Sequence, residues 1–435
     1  MKKNGFIMST YVYILLVFFL LLLGTMLVVL NNTRLLANKI KENTDGNIDF
    51  NLVLKGDKEI FIVKDSEYIE PGCIATTFDG EKLEVRVMGE ANAKKSGEYD
   101  IEYSAEYKWV EKKVKRKVIV GENLVTYITN LYEDSITRAS NNLKKDNTED
   151  KNIRYYGANP NNYVRFNNEL WRIIGIFGNN VKLIRNDRLG WLSWDTSEST
   201  VNSGYGINQW GESKDTSGNI YEGADLQVYL NKMYYGGIEV TCYNDLNNTK
   251  TTCPKDSKGN FLTIDETSKS FIDNHSWNIG APNHSTLNNS TTQSYDTVEF
   301  YKAERGNETG KICSSSNYCN DTVNRTTTWT GYVGLPYITD YAYASGGDDC
   351  NTKIDQSSTD KCKNNNWMFK NTWYWTLSPA AYSDCDNRVW FVFGAGYTGG
   401  NFAAVPLSAF PTIYLKSNIL IESGTGTSSD PYILK

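Results

Sequence analysis

The chain begins with an almost unbroken run of apolar residues. Tyr11 to Leu30 has about the length that spans a bilayer as a helix. The run is too long for the apolar core of an ordinary signal peptide, and no small-x-small cleavage site follows it. We therefore predict a transmembrane helix within residues 1–30, which continues as a polar stalk helix over residues 31–47.

Short alternating runs replace this pattern over residues 48–120. Pro-Gly, Asp-Gly and Ser-Gly pairs separate the runs, and apolar and polar residues alternate within them. This pattern is typical of an all-β sandwich. After it, apolar residues recur at helical spacing, which predicts a linker helix within residues 121–151. These residues are Leu124, Ile128, Leu131 and Ile136.

Residues 152–435 are predicted to form one large α+β domain. Asn167-Asn168 is a strong hairpin signal between two apolar runs. Leu226 and Leu230 lie four residues apart and indicate a short helix. The stretches between these elements are rich in Asn, Ser, Thr and Gly, which favours long loops of the kind that carry recognition.

Charge excludes one class of partner. The 435 residues carry a net charge of −6, and no block of Lys and Arg suggests a nucleic-acid face. The one basic run, Lys112 to Lys117, is typical of a solvated strand with acidic neighbours. We expect no nucleic-acid partner.

The cysteines indicate an oxidising exterior. Six of the eight fall in near-neighbour pairs within polar loops, an arrangement that suits local disulfides. Cys73 and Cys385 are left over, and the sequence leaves the connectivity open. The candidate disulfide cysteines are Cys242 with Cys253, Cys313 with Cys319, and Cys350 with Cys362.

The chain lacks the motifs of metal, cofactor and catalytic sites. No cysteine pair has the CxxC spacing, and His275 and His284 have no known metal spacing, so we predict loop histidines, no metal and no cofactor. There is no Gly-x-Ser-x-Gly elbow and no Walker loop. Cys385 has no identifiable His partner. We therefore expect a protein that is not an enzyme.

The stretch from Ser378 to Pro411 has an unusual alphabet. It contains no Lys, Glu, Gln or Met, and it mixes Tyr, Phe, Ala, Asp, Asn and Gly with little periodicity. Tyr, Ser, Gly and Asn are the residues of adaptable binding surfaces. The aromatic residues of the stretch fit either a core or a ligand face. The positions that fit buried strands are Val389, Val392, Val405 and Ile413.

The N-terminal segment MKKNGFIMSTYVYILLVFF resembles a type IV prepilin leader, which is a short basic peptide and a Gly before an apolar helix that opens with Phe. The resemblance implies cleavage between Gly5 and Phe6. Pilins usually have Glu as the fifth mature residue, and this chain has Thr10. That departure puts filament assembly in doubt and leaves a simple membrane anchor as the alternative.

Residues 48–120 resemble the bacterial immunoglobulin-like repeats of cell-surface proteins. The resemblance implies a spacer domain without chemistry. The residues that carry it are Tyr68, Glu70-Pro71-Gly72, Asp79-Gly80, Val87, Gly89, Gly97-Glu98-Tyr99 and Tyr103.

The last 280 or so residues resemble surface-protein domains of the C-type-lectin-like fold, in the class that includes formylglycine-generating enzymes. The segments NPNNYVRFNNELWRIIGIF, SWDTS, TWTGYVGLPYITDYAYAS, WTLSP and GTGTSSDPYIL carry the resemblance. The catalytic cysteines of the enzyme branch have no matching motif, so the resemblance implies no activity here.

This class includes the variable proteins of diversity-generating retroelements, in which mutated Asn codons cannot yield Lys, Glu, Gln, Met or Trp. Between Pro379 and Pro411 only Trp390 lies outside the permitted set. The resemblance implies that Trp390 and the Val positions are framework around a diversified ligand face. Chance depletion is the alternative. The predicted face consists of Ala381, Tyr382, Asp384, Asp386, Asn387, Phe391, Phe393, Tyr397, Asn401 and Phe402.

Together these patterns predict a single-pass bacterial membrane protein with an extracellular C-terminal part. The expected fold is a transmembrane helix, an immunoglobulin-like β-sandwich and an α+β C-type-lectin-like domain. The expected function is surface display or adhesion, with an extracellular protein or glycan as partner. The alternatives are a minor pilin or pseudopilin of a pilus-like assembly and, less favoured, a formylglycine-generating-type enzyme.

Overall fold

The structure of the chain is a computed structural model. It describes residues 10–44, 49–197, 206–214, 220–244, 249–282, 296–306, 326–347, 349–354, 359–381 and 387–435. The predicted leader cleavage site at Gly5 and Phe6 lies outside these residues.

A single helix, Thr10–Thr44, covers most of the predicted transmembrane and stalk segments. Within it, Leu15–Arg34 is long and apolar enough to cross a membrane, with a mean hydropathy of 2.4. The side chains from Leu15 to Leu30 are exposed. Such a large apolar surface is unfavourable in water, so this segment needs apolar surroundings.

The chain divides into two compact units, Met1–Val120 and Gly121–Lys435. In the first unit, one pair of strands forms a small sheet, and the other strands form a second sheet around a long hairpin. Ile101 and Tyr103 alternate with exposed or half-buried polar residues and fill the space between the sheets. The strands are Phe50–Leu54, Glu59–Val63, Cys73–Thr77, Val85–Met88, Gly97–Tyr107 and Val110–Asn123.

The basic run of the first unit is a strand with acidic neighbours, as predicted. Lys113 and Lys115 lie 3.4 and 3.5 Å from Glu102 of the adjacent strand. Arg116 points the other way and is fully buried, where it pairs with Glu70. The Tyr103 hydroxyl donates a hydrogen bond to the same carboxylate at 2.5 Å. The Glu70-Pro71-Gly72 motif therefore holds the sandwich together.

The second unit contains two main sheets. In the larger one, the strand order is Val333–Gly334, Thr412–Leu415, Asn180–Arg185, Glu169–Phe177, Tyr163–Phe166, Tyr432–Leu434 and Leu420–Ser423. Ile153–Tyr155 and Leu143–Lys145 extend this sheet from Glu169–Phe177. The smaller sheet has the order Trp191–Leu192, Leu407–Ser408, Tyr374–Pro379, Arg388–Val392 and Thr398–Phe402. Two-stranded pieces within the described residues are Ser213–Lys214 with Ile220–Tyr221, Cys242–Tyr243 with Lys250–Thr251, and His275–Asn278 with Thr328–Gly331.

Short helices accompany these sheets. Asp225–Val228 continues as a π-helix, Tyr229–Tyr235, where the sequence predicts one short helix. The remaining helices are Leu124–Glu133, Ser135–Ser140, Glu266–Phe271, Thr297–Glu304, Ile338–Tyr343 and Asp360–Lys363.

Local signals predicted several elements of this unit correctly. Asn167 and Asn168 both have φ of 55° and form the predicted hairpin turn. Two predicted disulfides, Cys242–Cys253 and Cys350–Cys362, are present. Cys313 and Cys319 lie outside the described residues. His275 lies in a strand and not in the predicted loop, because His275–Asn278 pairs with Thr328–Gly331. Its ring stacks on Tyr414 at 3.7 Å.

The predicted linker helix is part of the second unit. Leu124 and Ile128 are 1% and 0% exposed, and they lie in the core of the second unit with Leu143. The helical spacing predicts this helix, but spacing does not show what a helix packs against, so the sequence indicates a connector where the structure has a core helix.

We expect the second unit to fold from Gly121 but not from residue 152. Removing residues 121–151 removes Leu124, Ile128 and Leu143 from the core. Loss of one such side chain costs about 2–5 kcal/mol, so the loss of three exceeds ordinary domain stability. Urea unfolding followed by circular dichroism should show a cooperative transition only for the longer piece. Equal midpoints for the two pieces would contradict this assignment.

Candidate ligand-binding site

The smaller sheet positions the predicted ligand face. Its strand Arg388–Val392 is buried on both sides, with Phe391 towards one apolar cluster and Trp390 towards another. The hairpin partner, Thr398–Phe402, forms the outer strand of the sheet among the described residues. A rigid sheet therefore holds the hairpin, and only its ends and outer strand reach solvent.

Four rings gather at the turn end of this hairpin, and we call Trp373, Phe391, Phe393 and Tyr397 the aromatic cluster. Phe393 stacks on Tyr397 with ring centroids 3.9 Å apart. Trp373 lies 5.1 Å from Phe393, and Phe391 lies 4.0 Å from it. Trp373 and Tyr397 are each 43% exposed, whereas Phe391 is buried. The cluster thus exposes the rings of Trp373 and Tyr397, which pack against buried or half-buried Phe rings.

The other end of the hairpin carries a cation beside an exposed ring. The Arg388 guanidinium lies 4.2 Å from the centre of the Phe402 ring, a cation–π distance. Phe402 is 41% exposed. Arg388 also donates to the Gly400 carbonyl at 3.4 Å. This contact holds the charge close to the outer strand.

Backbone polar groups line the outer strand between these two ends. Tyr397 and Ala403 both pair inward, because the Tyr397 carbonyl accepts from Phe393 and the Ala403 amide donates to Asn387. Alternation along the strand then turns the backbone groups of Thr398 and Gly400 away from the sheet. Exposed rings and outward-facing amides therefore lie side by side.

The structure separates the predicted face residues into four groups. Tyr397 and Phe402 are exposed, and Phe393 and Asn401 are half-buried. Ala381, Asn387 and Phe391 are buried. Tyr382, Asp384 and Asp386 lie outside the described residues.

Three of the face assignments need correction. Phe391 is 1% exposed because its strand is covered on both sides, and a ligand cannot reach it. Ala381 is 5% exposed, and its amide donates to the Pro282 carbonyl. Asn387 is 5% exposed, and its carbonyl accepts from Ala403. A strand that is buried on both faces has no alternating apolar pattern, which is why the sequence suggested a surface.

The structure adds two residues that sequence reasoning did not select. Trp373 precedes the buried strand Tyr374–Pro379 and opens towards solvent. Arg388 begins the strand Arg388–Val392 and covers Phe402. No local signal marked Trp373, because it lies two residues before the buried Trp375, and residues two apart on a strand share a face, which predicts burial.

Beneath the hairpin lies a buried carboxyl group. Glu304 is fully buried and accepts hydrogen bonds from the hydroxyls of Thr339 and Ser378, the latter at 2.8 Å. Burial raises the pKa of Glu304 to about 7, although the Thr339 hydrogen bond acts in the opposite direction. Glu304 therefore supports the sheet from inside and does not face a ligand.

We expect Glu304→Gln to remove part of the pH dependence of folding. The pKa is raised from 4.5 in the unfolded chain to about 7, so the wild-type free energy of unfolding falls as pH rises through this window. The loss is on the order of 3 kcal/mol, at 1.36 kcal/mol per unit. Urea titrations at pH 5 and pH 8 should show a smaller drop for Glu304→Gln than for wild type. An unchanged drop would show that Glu304 is ionised in the folded protein at both pH values.

No metal site is evident in the part of the chain that the structure describes, where no group of three or more His, Cys, Asp or Glu side chains could hold an ion. His275 bonds Asp273 through Nδ1 at 3.0 Å. Burial lowers the pKa of His275, and Asp273 acts against this shift.

The comparisons with known proteins concern mainly the first unit. Residues 52–120 match the family described as bacterial surface protein, Ig-like domain. This match confirms a bacterial surface immunoglobulin-like domain in the first unit. No curated protein matches the chain.

Two solved structures are similar over part of the chain. One is a lipoprotein of Bacteroides thetaiotaomicron, 20% identical with a TM-score of 0.17, and the match covers 32% of this chain and 62% of the lipoprotein. The other contains CBM51-2, in complex with GlcNAc, and INT domains of Clostridium perfringens ZmpB. It is 12% identical with a TM-score of 0.15, and the match covers 40% of this chain and 38% of the other. The chain spans less than two thirds of either structure.

Proposed function

We propose that this chain is a membrane-anchored display protein whose second unit binds an extracellular protein or glycan. The apolar helix, the immunoglobulin-like domain and the second unit follow one another along the chain. The two disulfides suit an oxidising exterior. The anchor lies in the bacterial cell membrane, and the part that follows it is extracellular.

The aromatic cluster is the observation that carries the binding function. Trp373 and Tyr397 are each 43% exposed at the end of a rigid sheet. Contact between adjacent apolar rings and water is unfavourable, so such a patch is typical of an interaction site. Rings held in place by packing lose little entropy when a ligand covers them. Outward amides at Thr398 and Gly400 supply polar contacts next to the rings. A ligand with an apolar face and hydrogen-bonding groups fits this arrangement.

The second unit is further proposed to be a C-type-lectin-like domain with a diversified face. Trp390, Val389 and Val392 are buried, in keeping with a role as framework. Tyr397 and Phe402 are exposed and are both among the residues that mutated Asn codons can encode. A near-identical Asn-codon-rich repeat beside a reverse-transcriptase gene is expected. Its absence from a complete genome would reject diversification but leave the binding function intact.

The leader is proposed to be processed like a prepilin, between Gly5 and Phe6. The support is the sequence resemblance and the long apolar helix that follows, Thr10–Thr44. N-terminal sequencing of the protein from its native membrane decides between a chain that starts at Phe6 and one that starts at Met1.

The function is tested with glycan and protein arrays. Residues 121–435 are the probe, and residues 49–120 are the matched control from the same chain. We expect a ligand for the longer piece only, without turnover of that ligand and without an added cofactor. Binding that is equal for both pieces, or absent from both, would contradict the proposal.

A further inference from the structure

A lysine and an aspartate meet in the interior of the second unit. Lys182 lies in the strand Asn180–Arg185, and Asp340 lies in the helix Ile338–Tyr343. The Lys182 Nζ atom is 2.6 Å from Asp340 Oδ2, and both side chains are fully buried. The two residues are separated by 158 positions in the sequence, so their contact joins distant parts of the fold.

Aromatic rings surround this pair. The Nζ atom lies 4.1 Å from the centre of the Tyr337 ring and between 5.2 and 5.5 Å from the rings of Phe177, Trp277 and Tyr414. Such a site excludes water, and the two charges pay a desolvation cost that their attraction offsets only in part. A reaction that removes both charges and releases water is therefore favoured here more than on a surface.

The Asp340 carboxyl group is polarised on both oxygens. Arg154 Nη1 donates to Oδ1 at 2.9 Å, and the Tyr337 amide donates to Oδ2 at 3.0 Å. Both donors withdraw electron density from the carboxyl carbon. Arg154 also pairs with Asp146 through Nε at 2.7 Å. Its positive charge therefore remains paired with the Asp146 carboxylate if Asp340 loses its own charge.

We propose that Lys182 and Asp340 condense to form an intramolecular amide bond. The ion pair first passes one proton from Nζ to Oδ2 along the 2.6 Å hydrogen bond, which leaves a neutral amine and a carboxylic acid. Nζ then attacks the carboxyl carbon, and the charge that develops on Oδ1 is held by Arg154. A second proton moves from nitrogen to Oδ2, the C–Oδ2 bond breaks, and water leaves.

The positions of the two groups bear on the attack step. A nitrogen in hydrogen-bond contact with a carboxyl oxygen lies roughly 3–3.5 Å from the carboxyl carbon, which is a near-attack separation, and attack then requires the amine to move out of the carboxyl plane. Burial lowers the pKa of Lys182 to about 8, although Asp340 acts against this shift, so the neutral amine is accessible near neutral pH. Burial acts to raise the pKa of Asp340, but Lys182 and Arg154 lower it below its ordinary value, so the ion pair is the resting form and the proton transfer is an uphill step. The product is one amide and one water, and it needs no oxidant or co-reactant. It would tie the larger sheet to the helix Ile338–Tyr343.

Peptide mapping of the full chain tests the bond directly. After reduction, alkylation and denaturation, trypsin should fail to cut at Lys182, because an acylated lysine is not a substrate. We expect peptide 173–185 joined to peptide 326–353, with a mass about 18 Da below the sum of the two. A linear peptide 173–182 together with a linear peptide 326–353 would overturn the proposal and leave an ion pair only.

Two controls separate condensation from poor digestion. Lys144 is half-buried and donates to the Ser345 carbonyl at 3.0 Å, so it has no carboxyl group to acylate it and trypsin should cut there normally. Lys182→Arg keeps a cation but lacks the amine, and it should release peptide 326–353 in linear form. If this variant fails to fold, the wild-type digest still decides. A joined peptide in Lys182→Arg would place the link elsewhere and reject the assignment to Lys182.

Discussion

Replacing Arg154 with Leu is expected to lower the free energy of unfolding of the second unit by about 3–5 kcal/mol, the cost of leaving a buried charge without its partner. Arg154 is 1% exposed and contacts both Asp146 and Asp340. Lys182 remains beside Asp340, but Asp146 retains only the neutral donors of Thr148 and Asn152. The measurement is urea unfolding of residues 121–435.

An exposed ion pair in the same unit provides the matched control. Lys232 and Glu222 are 3.4 Å apart, and their side chains are 51% and 76% exposed. Lys232→Met should change the free energy of unfolding by less than about 1 kcal/mol, because water screens this pair. If Arg154→Leu proves as mild as Lys232→Met, water reaches the interior site and the buried charges are solvated.

Sequence reasoning succeeded where a local signal determines the structure. The Asn167-Asn168 turn and the alternation at Ile101 and Tyr103 depend on neighbouring residues only. It failed where the structure depends on distant packing. The burial of Arg154, Lys182 and Asp340 could not be predicted, because side chains of these types are rarely buried and their partners lie far apart in the sequence.

The candidate site shows the same division. Of the predicted face residues, Tyr397 and Phe402 are exposed. Phe391 and Phe393 lie only two residues apart and point the same way, yet Phe391 is buried and Phe393 lies nearer the open end. The two rings differ in exposure because the rest of the unit covers Phe391 and leaves Phe393 partly open. The hydrophobic pattern of the sequence does not show where this cover ends.

The ligand face should therefore separate from the core by mutation. Tyr397→Ala and Phe402→Ala remove exposed rings, so we expect each to weaken ligand binding at least about tenfold, near 1.4 kcal/mol, with little change in stability. Phe391→Ala removes a buried ring of the same cluster and should lower the free energy of unfolding by about 3–5 kcal/mol.

Binding to the array-identified ligand and urea unfolding, measured on the same samples, check both expectations. Trp373→Ala tests the extent of the face, because Trp373 contacts Phe393 and is as exposed as Tyr397. Loss of binding in Trp373→Ala and Tyr397→Ala with normal unfolding places the ligand at the turn end of the hairpin. Loss in Phe402→Ala alone places it at the Arg388 end. If all three variants fold and bind the ligand fully, this hairpin is not the ligand face, because no other ring of the hairpin is as exposed among the described residues.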